Sequence, residues 1–204
     1  MRTIVGGGSN ANNYPNLTGY VPKIYDVAGG HTYTVPANCS KIYVLAFGAG
    51  GSGGYSSSQV GTGGGGGGFA AGFISVSGGQ NISINVGAGG APQTTNGQDG
   101  NAGGSTSVGN YMSATGGGGG KSAAFQNTDG GAGGAGSIDD TTNVASYVTA
   151  NGGRGGQWID DTSLGSYCLT GGGNSGSLLG DGGNGGDCMS GNGSGRMTSG
   201  GGGW

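Results

Sequence analysis

Four groups of residues in this chain have types and spacings that could do chemistry. Thr115-Gly116-Gly117-Gly118-Gly119-Gly120-Lys121-Ser122 approximates a phosphate-binding loop. In such a loop glycine amides cradle phosphate, a lysine reaches it and a hydroxyl holds magnesium. The pattern needs glycine where Thr115 stands and a helix after the serine. Here the residues after Ser122 are few and run into the turn formers Asn127, Asp129 and Gly130, and no second acidic strand for magnesium follows. A nucleotide site is not expected. Gly182-Gly183-Asn184-Gly185-Gly186-Asp187-Cys188-Met189 fits one copy of the calcium β-roll repeat. The frame after it puts Gly195 where the aspartate belongs, and the frame at 152–159 puts Gln157 there. Calcium in such rolls is shared between consecutive copies, so one copy makes a poor site and no metal ligand is assigned. The pairs Asp139-Asp140 and Asp160-Asp161 could serve as acid and base or bind a cation. Adjacent in sequence among turn formers, they read as loop carboxylates. His31 is the only histidine, and no nucleophile motif accompanies it. No catalytic residue and no cofactor are expected, and the chain is read as a non-enzyme.

What remains is recognition. Tyr55, Phe125, Tyr147, Trp158 and Tyr167 stand in or beside glycine-rich segments, as does Trp204. A flat apolar ring beside Asn, Gln, Ser and Asp suits contact with a carbohydrate or a protein loop. The alternative is that some of these rings anchor loops by packing over glycine backbone. The first five are the candidate receptor-binding residues.

The scaffold behind them is set by composition. Glycine is 60 of 204 residues, and only six glycines precede Phe47. Beyond Phe47 roughly every third residue is glycine, which means either a floppy linker or backbones packed so closely that side chains are excluded. Charged residues are only 7% and the net charge is −3, so repulsion does not hold the chain open. A solvated linker would carry more charge. All nine acids are Asp, a turn former. Six basic residues in an acidic chain argue against nucleic acid, Arg154 in its Gly-Gly-Arg-Gly-Gly setting included. The N-terminus has no apolar stretch of the signal-peptide kind, and no run approaches the length that spans a bilayer, so membrane insertion is not expected. Cys39, Cys168 and Cys188 are odd in number and widely spaced, and read as buried or idle thiols of a protein made in a reducing cytoplasm rather than a disulfide framework.

Residues 1–22 read as an N-terminal arm or attachment segment, 23–120 as a β-sandwich domain and 121–204 as a glycine-rich loop and lattice region. Lys23–Val27 and His31–Val35 flank Gly29-Gly30, a hairpin signature. Lys41-Ile42-Tyr43-Val44-Leu45-Ala46-Phe47 suits a central strand buried on both faces. Phe69–Val76 and the alternating Asn81-Ile82-Ser83-Ile84-Asn85-Val86 are further strands, joined by a turn at Gly78-Gly79-Gln80. Together these predict an all-β fold, a small antiparallel β-sandwich. Glycine blocks then alternate with short polar and aromatic segments without the Gly-X-Y register of collagen. Polyproline-type glycine helices running back and forth could hydrogen-bond sideways to one another and satisfy their backbone groups. This polyglycine II-like arrangement would have to offset the backbone entropy of ordering glycine, roughly 1–2 kcal/mol per residue; disorder is the competing reading.

Tyr33-Thr34-Val35-Pro36-Ala37-Asn38-Cys39-Ser40-Lys41-Ile42-Tyr43-Val44 resembles the opening of the glycine-rich domain of phage tail-fibre and virion appendage proteins. The likeness continues through Phe69-Ala70-Ala71-Gly72, Ile74–Gln80, Ile82–Gly90 and Ser113–Gly120, covering about residues 31–120. The later blocks resemble, more loosely, the polyglycine-helix adhesins at the long-tail-fibre tips of T-even-type phages, whose loops between glycine motifs carry receptor specificity. The resemblance implies a virion-surface protein, made in the host cytoplasm, that binds a host carbohydrate or outer-membrane protein and other virion subunits. On that reading the loops 55–62, 91–102, 121–129, 137–151 and 157–170 are the recognition elements. Two alternatives stand beside it: a capsid or tail decoration protein without receptor binding, and a calcium-dependent secreted β-roll.

Overall fold

The structure is a computed structural model, and it describes residues 2–3, 20–56, 60–123, 128–160, 170–190 and 196–197. The described residues form strands and no helix. In chain order these are β1 (Arg2–Thr3), β2 (Lys23–Ile24), β3 (Gly29–Thr34), β4 (Lys41–Phe47) and β5 (Val60–Gly61). Then come β6 (Phe69–Ser75), β7 (Asn81–Val86), β8 (Thr106–Val108), β9 (Met112–Ala114) and β10 (Ser122–Ala123). Last are β11 (Gly136–Ile138), β12 (Val144–Ala150), β13 (Trp158–Asp160), β14 (Cys188–Ser190) and β15 (Arg196–Met197).

Two antiparallel sheets make the sandwich. One has the order β11-β9-β8-β7-β3, the other β12-β6-β4. Strict alternation in β7 turns Ile82, Ile84 and Val86 inward, and they meet Ile42, Val44 and Ala46 of β4 and Ile74 of β6. Val108, Met112 and Ala114 close the same core. The opposite residues of β4 and β6 are also covered: Tyr43, Leu45, Phe69 and Ala71 form a second cluster with Ala150, on which Leu178 packs. Phe47 tilts against Phe69, and Tyr43 against Phe73, at 4.8 Å between ring centres. Burial on both faces explains why residues 42–47 are continuously apolar and aromatic. Its neighbour β6, however, is the strand flanked on both sides in that sheet.

The expected hairpin around Gly29-Gly30 does not form. Gly29 and Gly30 lie inside β3 and pair with Val86 and Asn85 of β7. The glycine turn signal is overridden by pairing with an alternating partner that brings a core face with it. The free edge of β3 is blunted, as solvent-facing strand edges usually are. Tyr25 donates to the Thr32 carbonyl at 3.3 Å, and His31 Nε2 lies 2.7 Å from the Val27 carbonyl. The β12 edge is broken by a bulge between Ala145 and Val148, where Ser146 takes φ 48°. The expected turn before β7 does form, with Gly79 at φ 80°.

Above the sandwich stands a lattice of glycine-rich segments: 48–54, 62–68, 87–91, 100–104, 115–121, 129–136, 151–157, 170–176 and 181–187. Segments leave the sandwich strands and return to them. Neighbours are tied through every third residue, the signature of three-fold polyglycine II helices. Gly48, Gly51 and Gly54 donate to Gly68, Gly65 and Thr62, so 48–54 and 62–68 run antiparallel. Ala49, Ser52 and Tyr55 donate to Gly104, Asn101 and Gln98, another antiparallel set on a different face of the same segment. Gly117 and Gly120 donate to Ala49 and Ser52, a parallel set. Because the helix offers a face every 120°, segment 62–68 contacts five others: 48–54, 115–121, 129–136, 151–157 and 170–176. The bonds are 2.7–3.1 Å long, so the backbone polar groups of this buried region are satisfied by one another. Segments on both sides of residue 120 belong to the one lattice.

Glycine is required here by space. A Cβ on Gly65 would sit 1.9 Å from the Ala132 carbonyl oxygen, and one on Gly117 2.0 Å from that of Gly65. Neither contact can be relieved by moving a side chain, because both neighbours are backbone.

Candidate functional site

Chain direction fixes where the loops go. Segment 48–54 leaves β4 and climbs; 62–68 descends into β6; 87–91 climbs from β7; 100–104 descends to β8. The alternation repeats through 115–121, 129–136, 151–157, 170–176 and 181–187. The described parts of the connections, 55–56 and 60–61, 92–99, 122–123 and 128, and 158–160, therefore fall at the lattice end remote from the sandwich, together with β14.

Hydrogen bonds between these connections tie them into one surface. Tyr55 donates its amide to the Gln98 carbonyl at 3.0 Å, and Gly97 donates to the Tyr55 carbonyl. β5 pairs with β10, Gly61 opposite Ser122 and Val60 opposite Ala123. Thr128 and Trp158 exchange backbone hydrogen bonds. β13 pairs in parallel with β14, Trp158 opposite Cys188. Thr62, 1% exposed, is the rivet. Its hydroxyl accepts the Lys121 amide at 2.6 Å and donates to the Asp129 carbonyl at 3.1 Å.

Charges at this end are spent on the scaffold. Asp99 accepts the Lys121 ammonium and the Ser122 amide, both at 2.8 Å. The Lys121 bond first, and the Ser122 amide second, hold its carboxyl below the usual range. Arg154 binds Asp187 with two parallel bonds of 2.9 Å, and the Gln157 amide adds a third bond to that carboxylate. The Asp187 carboxyl is held low, chiefly by Arg154. At the sandwich end of the lattice, by contrast, the Asp181 carboxylate accepts the Asn151 amide.

The candidate residues divide accordingly. Tyr55 is 41% exposed at the lattice end, beside Gln98. Trp158 is at the same end but half-buried against Cys188, with its indole nitrogen covered and unpartnered among the described residues; it is placed as an anchor. Tyr147 is exposed too, but it sits on the β12 bulge against Gly72, on the sandwich. Of the loops expected to act together, 137–151 is thus a strand and turn of the sandwich, away from the other four. Its Asp140 caps its own turn by accepting the Thr142 and Asn143 amides. Phe125, Tyr167 and Trp204, and with them Asp161 and Cys168, lie outside the described residues. Gln98, Asp99 and Thr62 carry no sequence signal that would have singled them out.

The other motifs are absorbed by the fold. The amides of Gly117, Gly118 and Gly120 donate to Ala49, Ala132 and Ser52, and a strand rather than a helix follows them, so these amides of the phosphate-loop likeness are taken up by the lattice. Asp187, the aspartate of the β-roll copy, is held by Arg154. Among the described residues no group of three or more His, Cys, Asp or Glu is placed to hold a metal. The cysteine expectation needs correction. Cys188 is disulfide-bonded and fully buried, while Cys39 is free. No curated protein matches the chain. A family model described as a glycine-rich domain matches residues 26–204, from the sandwich through every lattice segment, and the chain belongs to that glycine-rich domain family.

Proposed function

We propose that this protein is a tail-fibre tip or spike component of a virion, which recognises the host cell surface through the loops at the lattice end. The observation that carries the reading is that the described parts of four connections are hydrogen-bonded together at one end of the lattice, above segments whose backbone is locked every third residue. Such a scaffold holds loop ends in place while leaving loop sequence free, which a recognition surface needs. Tyr55 and Gln98 supply an exposed ring and an amide side by side, a combination suited to a host carbohydrate or an outer-membrane protein. The function is binding, without a catalytic step, and the protein resides on the virion surface.

Tyr55→Ala and replacement of residues 92–97 by a Gly/Ser sequence test the reading. Both variants are expected to keep the melting temperature within a few degrees and to reduce adsorption of particles to the original host by tenfold or more, in the manner of a contact hot spot (about 1.4 kcal/mol or above). Normal adsorption by both variants refutes the receptor role and turns the reading towards a decoration subunit.

A further inference from the structure

A second surface lies at the end of the sandwich remote from the lattice. Residues 20–23 pass the turn between β3 and β4 and enclose an open cavity of about 560 Å³, lined by Tyr20, Pro22, Lys23, Tyr33, Pro36 and Lys41 among others. Its charge is out of character with the chain, which is net −3 with only six basic residues. Lys121 and Arg154 are neutralised by Asp99 and Asp187. Among the described residues Lys23 and Lys41 form no ion pair. Their ammonium groups lie over the rings of Tyr25 and Phe73, at 5.7 and 5.8 Å from the ring centres, an arrangement that orients a charge without cancelling it. The same stretch of chain exposes Val21 by 81% and Ile24 by 48%. Apolar side chains exposed in a run, beside uncompensated charge and an aromatic cavity, mark an interaction surface.

We infer that this cavity docks an acidic segment of another polypeptide. Carboxylates of the partner meet Lys23 and Lys41, and an apolar side chain enters between the tyrosine and proline rings. Charge complementarity selects the acid. The exposed Val21 and Ile24 select a polypeptide over an acidic saccharide, which would leave them in water. The chemistry of the partner is read from the cavity alone; its identity as another subunit of the particle rests on the function proposed above.

The test places a benzophenone amino acid at Asn38, on the cavity rim, in the full chain within assembled particles, and maps the cross-linked product by mass spectrometry. The expected product is an acidic segment of another particle protein. Its yield should fall about tenfold in the double variant Lys23→Glu/Lys41→Glu, and recover when the acids of the cross-linked segment are changed to lysine. Both lysines are exposed, so an unchanged melting temperature serves as the folding check. No cross-link, a cross-link to saccharide, or a yield indifferent to the charge reversal overturns the inference. The readouts separate the two readings. Loss of adsorption in the Tyr55 variant without a cross-link at Asn38 sinks only the docking site, and a charge-dependent cross-link with normal adsorption sinks only the tip.

Discussion

The sandwich and the lattice are held together by opposite means. In the sandwich, Ile42, Val44, Ile74, Met112 and Phe69 are almost wholly buried, and stability comes from apolar area removed from water. In the lattice there is almost no side chain to bury. Stability comes from backbone hydrogen bonds and from contacts so close that a methyl group has no room. One region therefore fails when atoms are taken away and the other when atoms are added. A low apolar content is compatible with an ordered chain when a large part of it uses the second device.

Adding two methyl groups and a Cβ at Gly65 is the most severe way to break this contrast. Gly65→Val places atoms inside the Ala132 carbonyl, and the expected outcome is loss of the lattice. Amide hydrogen exchange should show protection gone across 116–120, 152–156 and 180–186, and a normal protection pattern there would mean the segments are not packed as described. Next in size is subtraction from the sandwich. Phe69→Ala should cost about 3–5 kcal/mol, read as a lower midpoint in denaturant. A cost below about 1 kcal/mol would show that the second core cluster is dispensable.

The Arg154–Asp187 pair sharpens the contrast at smaller scale, since it is the lattice's main side-chain clasp. Arg154→Ala should cost about 1 kcal/mol, as expected of a partly exposed pair. Its pH dependence has a definite sign. The Asp187 carboxyl is held below its ordinary value, so its contribution is fully present above the unfolded pKa near 3.9 and is lost as pH falls through the lower folded one. Wild type and Arg154→Ala should therefore converge in stability below about pH 4, and a constant gap in thermal melts down to pH 2 would contradict the clasp. The smallest effect is the control. Gly89→Ala meets nothing within 4 Å and should stay within about 0.5 kcal/mol of wild type, or gain slightly from a less free unfolded chain. If Gly89→Ala proved as damaging as Gly65→Val, space would not be what glycine supplies.

Much of the sandwich was legible in the residues. The alternation of Asn81–Val86 and the unbroken apolar and aromatic run 42–47 gave both strands and their burial, because side chains record which face is covered. The glycine blocks announced extended, laterally bonded segments. They could not say which segment neighbours which, since glycine has no side chain to specify a partner. The turn-like Gly29-Gly30 misled for a related reason: only the distant β7 shows that these glycines belong inside a strand. At the candidate site, the loop positions followed from the block spacing. The displacement of Tyr147 did not, although the run Tyr147-Val148-Thr149 has the β-branched and aromatic character of the strand it forms.

The three-residue period of the lattice makes length a counted quantity. One residue inserted into segment 115–121 would rotate every following amide by about 120° away from its partner carbonyl. Three residues would restore the phase after adding about 9 Å of rise. Insertions and deletions in this gene should therefore survive inside the glycine segments in steps of nine nucleotides, and in steps of three within the loops above them. The scaffold thus sorts its own genetic variation, sending it to the surface where the chain meets the outside.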